Sequence, residues 1–413
     1  MSQGDSGTSE SRTVGTTSQT ISRRGYLAGA GAVGAAALAG CAGGEDDDTL
    51  TVGFALPYTG TYAMLGESIT NGFELYIDEH DGEVNGREVE FVERDTEADT
   101  NRGVDVTREL LVEYQADAIV GPVSSAVAMA MIDTVQSEAN SIWFNANAGD
   151  YRVTQDGCTP YHFRTSFNDW QTSAPLAEFV YDEVADNVCL AYADYAFGVN
   201  SKDFFAEEFE DLGGEVVDEV GAPLGTDDYS SYLGQIEDSG AEAVFSFFAG
   251  DDAVNYVNQF SDFGLDEEMT QTGSGFLLSG DTLPAQGDSA LGMYSLLHYA
   301  DTLDTDRNQT FYDAYADAYG EGPNVYACQG YDSAQAFAAA VEETGSSDAD
   351  DLIPALEGLQ IDSPRGPLAF NSETHDPVHN LYVREVVEGD DGPENEVIET
   401  FEDIEGPTWG CSL

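Results

Sequence analysis

The sequence predicts an α/β fold in two lobes, each a parallel-stranded sheet with helices packed on it, and three observations carry that reading. The stretch Ile119 to Ala148 holds a complete strand, turn, helix and strand. Gly121-Pro122 ends the first strand, Ser124 or Ser125 caps the helix, and Val127, Ala128, Met131, Ile132 and Val135 recur at helical spacing before Ile142-Trp143-Phe144-Asn145. Units of this kind build parallel sheets. The same alternation begins again after Val184 for a similar length, and 413 residues suffice for two domains of ordinary size.

In chain order, residues 1–40 read as an export signal rather than as fold. Ser22-Arg23-Arg24-Gly25-Tyr26-Leu27 precedes an uncharged Ala/Gly run that ends at Gly40, too short for a stable span. The paired arginines resemble a twin-arginine signal, and Leu38-Ala39-Gly40-Cys41 resembles a lipobox. Cys41 is therefore expected to carry lipid and residues 41–48 to form an acidic tether, with the protein held on the outer face of the membrane.

Leu50 to Leu56 alternates as a strand, Pro57 to Gly66 is a glycine-bounded loop containing Tyr62 and Leu65, and Ile69, Phe73, Tyr76 and Ile77 mark a helix face. Asn85-Gly86 is a turn before the strand Val89 to Val92, and Val106, Leu110, Leu111 and Tyr114 mark the next helix. After Ile119 to Ala148 come a strand at Tyr161 to Arg164 and a helix from about Trp170 to Val184. The second lobe has strands at Val188 to Tyr192, Val216 to Val220, Val244 to Phe248, Met269 to Thr272 and Gly292 to Leu297. Helices are expected at Phe311 to Tyr319, Tyr331 to Thr344 and Asp351 to Leu356, then a hairpin pairing Leu368 to Phe370 with Leu381 to Val387. Ligands of open α/β sheets lie beyond the carboxyl ends of the strands. Ser124, Ser125, Asn145 and Asn147 thus mark one wall of a cleft, at a helix start whose free N–H groups suit a carboxylate or carbonyl oxygen; the alternative is that the serines only cap the helix.

Thirteen basic residues face 79 acidic ones, for a net charge of −66, and Lys202 is the sole lysine. A nucleic-acid partner is excluded, because a polyanion would be repelled. With 41% hydrophobic residues the chain is a globular core under an acidic coat, similar to proteins from organisms living in near-saturating salt, haloarchaeal-like. Folding is expected to depend on salt, since a Debye length of about 3 Å at molar ionic strength screens the self-repulsion.

Five segments in order carry a family resemblance: Pro57-Tyr58-Thr59-Gly60 with Gly66, Val120 to Ser125, Tyr161-His162-Phe163-Arg164-Thr165, Tyr331-Asp332-Ser333-Ala334 and Ser363-Pro364-Arg365-Gly366-Pro367. Together they resemble the extracellular solute-binding proteins of ABC importers, in the branched-chain amino acid, amide and urea branch (the leucine/isoleucine/valine-binding family). The resemblance implies a type I periplasmic binding protein fold, two Rossmann-like lobes joined by a three-segment hinge and closing on a solute. It allots residues 49–165 and 298–375 to lobe 1 and 166–297 and 376–413 to lobe 2. It also implies a monomer that delivers its solute to ABC permease and ATPase subunits. Leucine binders of the family hold the ligand carboxylate on a serine matching Ser125 and use a threonine where this chain has Asn147 or Ala148, beside Ala146. Their second-lobe glutamate for the ligand ammonium falls on Gly275, next to Ser274, and Asp251 or Asp252 is the candidate substitute; stacking aromatics fall on Tyr195 or Phe197. An ammonium buried without a carboxylate costs several kcal/mol. A leucine-type ligand is thus disfavoured, and an amide, urea-like compound or carboxylate is open. The competing reading is a sensory receptor of the same fold.

No Gly-x-Ser-x-Gly elbow and no phosphate loop occurs, so neither enzymatic activity nor a cofactor is expected. His375-Asp376-Pro377-Val378-His379 has metal-like spacing but reads as a turn. Cys158, Cys189, Cys328 and Cys411 allow three complete pairings among which sequence cannot choose, and Cys189 reads as a buried thiol.

Overall fold

The computed structural model describes residues 49–413 except 61, 139, 390 and 391. The signal, the lipidation candidate Cys41 and the tether all lie outside the described residues. Two sheets organise the rest. The first has the order β2-β3-β1-β4-β5-β6, built from β1 (Thr49–Leu56), β2 (Glu83–Val84), β3 (Arg87–Asp95), β4 (Ala118–Val120), β5 (Ile142–Asn145) and β6 (His162–Arg164). All of its pairings are parallel except the β2–β3 hairpin, whose turn residues Asn85 and Gly86 both have positive φ, 52° and 76°. Helices α1 (Ala63–Asp78), α2 (Thr100–Val112) and α3 (Ser125–Glu138) connect the strands.

The second sheet runs β12-β13-β14-β11-β10-β9-β7-β8, with β15 paired to β14. Its parallel part is β7 (Asn187–Ala193), β8 (Glu215–Ala222), β9 (Ala243–Phe247), β10 (Thr270–Ser274) and β11 (Tyr294–Leu297). Antiparallel strands β12 (Gln360–Ser363), β13 (Gly366–Phe370), β14 (Pro377–Glu388) and β15 (Pro393–Glu405) complete it. The expected closing hairpin is therefore β13–β14, with β12 and β15 added on either side. The stretch read as one helix from Trp170 is turns up to Leu176, then Leu176–Phe179 continued as a π-helical segment to Val184.

The chain crosses between the sheets three times. After β11 it returns to the first sheet, where the helices Asp306–Tyr319, Val325–Thr344 and Ala349–Glu357 bury Phe311, Phe337 and Leu352 against Leu50, Phe54 and Phe144. It then goes back to the second sheet for good. Strands β12 and β13 fall in the stretch allotted to lobe 1 yet are hydrogen-bonded into the second sheet, so the boundary at 375 does not follow sheet membership.

Cys158 is disulfide-bonded to Cys411, while Cys189 and Cys328 are buried free thiols. The bridge spans 253 residues of sequence and pins the C-terminal segment, where Trp409 packs against Tyr151 at 5.2 Å. A Cys158→Ser, Cys411→Ser double variant is expected to lose about 3 kcal/mol of stability in denaturant titrations, and reductant should lower the unaltered protein to the same midpoint.

Candidate functional site

A cleft of about 360 Å³ opens beyond the carboxyl ends of β4 and β5, at the start of α3. Its walls are aromatic. Tyr62 and Leu65 come from the loop before α1 and its first turn, Phe167 from the first crossing, Phe197 from the first turn of the helix Ala196–Leu212, and Tyr195, Phe247 and Phe276 from the strand ends and loops of the second sheet. Tyr326 enters from the helix Val325–Thr344. Ring centroids lie 4.9 Å apart for Phe167–Phe276 and 4.8 Å for Phe197–Phe247, contacts of ordinary aromatic packing. Gly149 makes this closeness achievable, since a Cβ there would stand 2.4 Å from the Phe167 ring and 2.6 Å from that of Phe197.

One end of the cleft is a donor array. The first bond of the α3 ladder runs from Ala128 N–H to Ser124 C=O, so the N–H groups of Ser125, Ala126 and Val127 precede it. Ser124 and Ser125 are half-buried and Ala126 is exposed, so this end faces the opening. The Ser125 hydroxyl oxygen accepts from Asp150 N–H at 3.3 Å, which leaves its proton to donate. Arg152 also lines the cleft. Its Nε lies 2.9 and 3.2 Å from the two carboxylate oxygens of Asp150, and its Nη2 donates to the same group. The one carboxylate on the cleft wall among the described residues is therefore already held by a cation.

Of the residues singled out in the sequence, Tyr62, Leu65, Ser124, Ser125, Asn147, Tyr195 and Phe197 come together here. The others do not. Ala146 and Ala148 are buried in the first-lobe core, and Asn147 between them lines the cleft. Asn145 points back, its Nδ2 donating to the Ala148 carbonyl at 2.9 Å. Asp251 is exposed at the start of the helix Asp251–Asp262, and Asp252 accepts the Gly225 N–H at 3.0 Å. Ser274 is buried away from the opening. At Gly275 a Cβ would meet Leu297 Cβ at 2.4 Å and Arg384 Nη2 at 2.7 Å, and the Gly275 carbonyl accepts from Arg384 at 3.0 Å. No acidic side chain fits there. Burial pushes the Arg384 guanidinium itself down to about 10.

His375 and His379 are structural: His375 stacks on Phe163 at 3.9 Å, and His379 Nδ1 lies 3.0 Å from Arg365 Nη1. Among the described residues no group of three or more His, Cys, Asp or Glu side chains is arranged to hold a metal. Sequence reasoning missed Phe167, Phe247, Phe276 and Tyr326; only Gly149, just past Asn147, hinted at rings closing over the strand end.

Asp169 lies fully buried behind this site. Its Oδ2 accepts from Asn200 Nδ2 at 2.8 Å, and its Oδ1 has no partner among the described residues. Burial first, and then the Asp150 charge, raise its carboxyl from 3.8 to about 8. A raised folded pKa means that the folded state holds the proton more tightly, so this stability is present at low pH and is lost as pH rises from about 4 to about 8. Asp169→Asn is expected to remove that loss. Melting scans across this window should show the variant gaining on the unaltered protein as pH rises, and parallel curves would contradict the assignment.

The pattern of the periplasmic binding protein family matches residues 49–392. The chain is 33% identical over 365 residues to Leu/Ile/Val-binding protein homolog 6 of Brucella melitensis, covering 86% of this chain and 92% of that one. Its fold is similar to an ABC transporter substrate-binding protein from Sphaerobacter thermophilus, with TM-score 0.84, 30% identity and coverage of 87% and 100%. It is also similar to a solute-binding protein of an ABC transporter from Rhodopseudomonas palustris in complex with 4-hydroxybenzoate, with TM-score 0.82, 31% identity and coverage of 88% and 99%.

Proposed function

The chain belongs to the periplasmic binding protein family, the solute-binding proteins of ABC transporters, and on that footing we propose that it captures a small aromatic carboxylate for an importer. One observation carries the choice of solute. The cleft joins seven aromatic side chains to the free N–H end of α3, and the carboxylate on its wall, Asp150, is held by Arg152. An aromatic acid fits this division. Its ring lies among Phe167, Phe197, Phe247 and Phe276, and its carboxylate takes the Ser125 hydroxyl, the α3 N–H groups and the positive end of the helix. A branched-chain amino acid also has a carboxylate, but its ammonium would be buried without a free counter-charge, at a cost of several kcal/mol. The volume of about 360 Å³ is at the small end for ligand sites and suits a single ring. The benzoate-type ligand of the Rhodopseudomonas palustris relative supports the same class.

In this proposal Ser125 and Asn147 receive the solute first, and contacts to Tyr195 and Phe197 made only when the lobes approach shift the population toward closure. Twin-arginine export, a lipid on Cys41 and operation in concentrated salt complete the reading, supported by Arg23-Arg24, Leu38-Ala39-Gly40-Cys41 and the net charge of −66. Calorimetry and thermal shift in molar KCl test the solute class. Benzoate and 4-hydroxybenzoate are expected to stabilise the protein by about 2.7 kcal/mol at a hundredfold excess over Kd, and leucine and isoleucine not to. Stabilisation by leucine or isoleucine with none from the aromatic acids would overturn the assignment.

A further inference from the structure

Behind Asn147, the one amide side chain on the cleft wall among the described residues, lies a line of buried polar groups that solute capture leaves unexplained. Asn147 Nδ2 donates to Gln329 Oε1 at 2.9 Å, and Gln329 Nε2 lies 3.1 Å from His298 Nε2. Gln329 and His298 are fully buried, and neither reaches the cleft. Both ends of the Gln329 amide are committed, the oxygen toward Asn147 and the nitrogen toward His298. His298 is neutral: burial chiefly, and then the charges of Arg365, His379 and Arg384, hold its pKa well below 6.5. A neutral imidazole that accepts at Nε2 carries its proton on Nδ1. That atom has no hydrogen-bond partner among the described residues. The ring is stacked on Phe167 and on His379, each at 5.4 Å, which fixes its plane.

We propose that Gln329 and His298 are positioning residues that hold the Asn147 amide with its nitrogen inward and its oxygen toward the cleft, so that the solute must bring a hydrogen-bond donor to Asn147. The inference deepens the aromatic-acid reading and rests on it for its probes: the carboxylate belongs to α3, and a hydroxyl or amino group on the same solute meets Asn147. Among the described residues no group donates to Asn147 Oδ1, and it is not a sealed-off buried atom. Turning the line over would take two amide rotations and a proton shift to His298 Nε2, and would offer Asn147 N–H to the solute instead. The line thus sets the polarity of this wall from two residues that never touch the ligand.

The test uses benzoate and its three aminobenzoate isomers in calorimetric titrations, with 15N NMR of the histidine side chains of the unliganded protein. In the unaltered protein at least one isomer is expected to bind about tenfold more tightly than benzoate, the size of one uncharged hydrogen bond from the solute to Asn147. Gln329→Met and His298→Phe free the Asn147 amide to turn, and each should shrink that ratio to about twofold or less. Gln329→Glu, whose carboxyl still accepts from Asn147 Nδ2, should keep it. A purely structural role would weaken benzoate and the isomers alike and leave the ratio untouched. An unchanged ratio in both Gln329→Met and His298→Phe, or no isomer favoured over benzoate, overturns the proposal. The NMR arm needs no ligand: His298 protonated on Nδ1 supports the line as drawn, and protonation on Nε2 overturns it. Failure of every probe to bind would refute the aromatic-acid reading, while the His298 tautomer would still decide the direction of the line.

Discussion

The start of α3 is the constraint to which the rest of the site conforms. A strand that ends at Gly121-Pro122 and a helix whose ladder begins at Ser124 leave three backbone donors together at the carboxyl edge of the first sheet. Backbone N–H groups removed from water need an acceptor. Here the α3 start faces the opening of a cleft whose other walls are aromatic, so in the proposed reading the acceptor is an anion from solution. The Ser125 hydroxyl adds a donor because its oxygen is already satisfied by Asp150 N–H. The same Asp150 holds Arg152, which keeps the net charge of the wall near neutral without offering a free acid.

Two buried ion pairs fix how the lobes meet. Arg164 Nε lies 2.7 Å from Asp376 Oδ1, and Arg365 Nε lies 2.7 Å from Asp332 Oδ2, with all four side chains nearly or fully buried. Such pairs gain little net stability over apolar packing, because desolvation offsets the attraction. Their extra bonds supply geometry. Arg164 also donates to Thr154 Oγ1 at 3.1 Å, and Arg365 to the Ser166 carbonyl at 2.9 Å, which ties the end of β6 to the residue before β14 and the first crossing to the segment between β12 and β13. Phe167, two residues past Thr165 in that crossing, is thereby set as both a cleft wall and a stacking partner for His298.

Much of this could be read from the sequence, for identifiable reasons. Apolar periodicity placed most of the strands and helices of both lobes, and the strand-turn-helix logic pointed to Ser124, Ser125, Asn145 and Asn147, of which all but Asn145 line the cleft. The errors have equally local causes. At a strand end a shift of one residue reverses the face, which separates Asn147 on the cleft wall from Ala146 and Ala148 in the core, while Asn145, still inside β5, turns its amide back to the Ala148 carbonyl. β15 escaped notice because its residues, Pro393 to Glu405, alternate glutamates with few apolar groups, as suits a strand exposed along much of its length. Phe167, Phe276 and Tyr326 are far apart in the chain, and only the three crossings bring them to one cleft. The Cys158–Cys411 bridge closes over 253 residues for the same reason and could not be chosen from spacing.

The central claim is that the α3 start anchors a solute carboxylate, and Ser125→Asp tests it most directly. An acid at the first turn of a helix is favourable for the fold, so the melting temperature should hold or rise. Its carboxylate would occupy the same donors and repel the solute's, and benzoate affinity should fall by about a hundredfold or more. Benzoate bound as tightly as before by a folded Ser125→Asp protein would contradict the account.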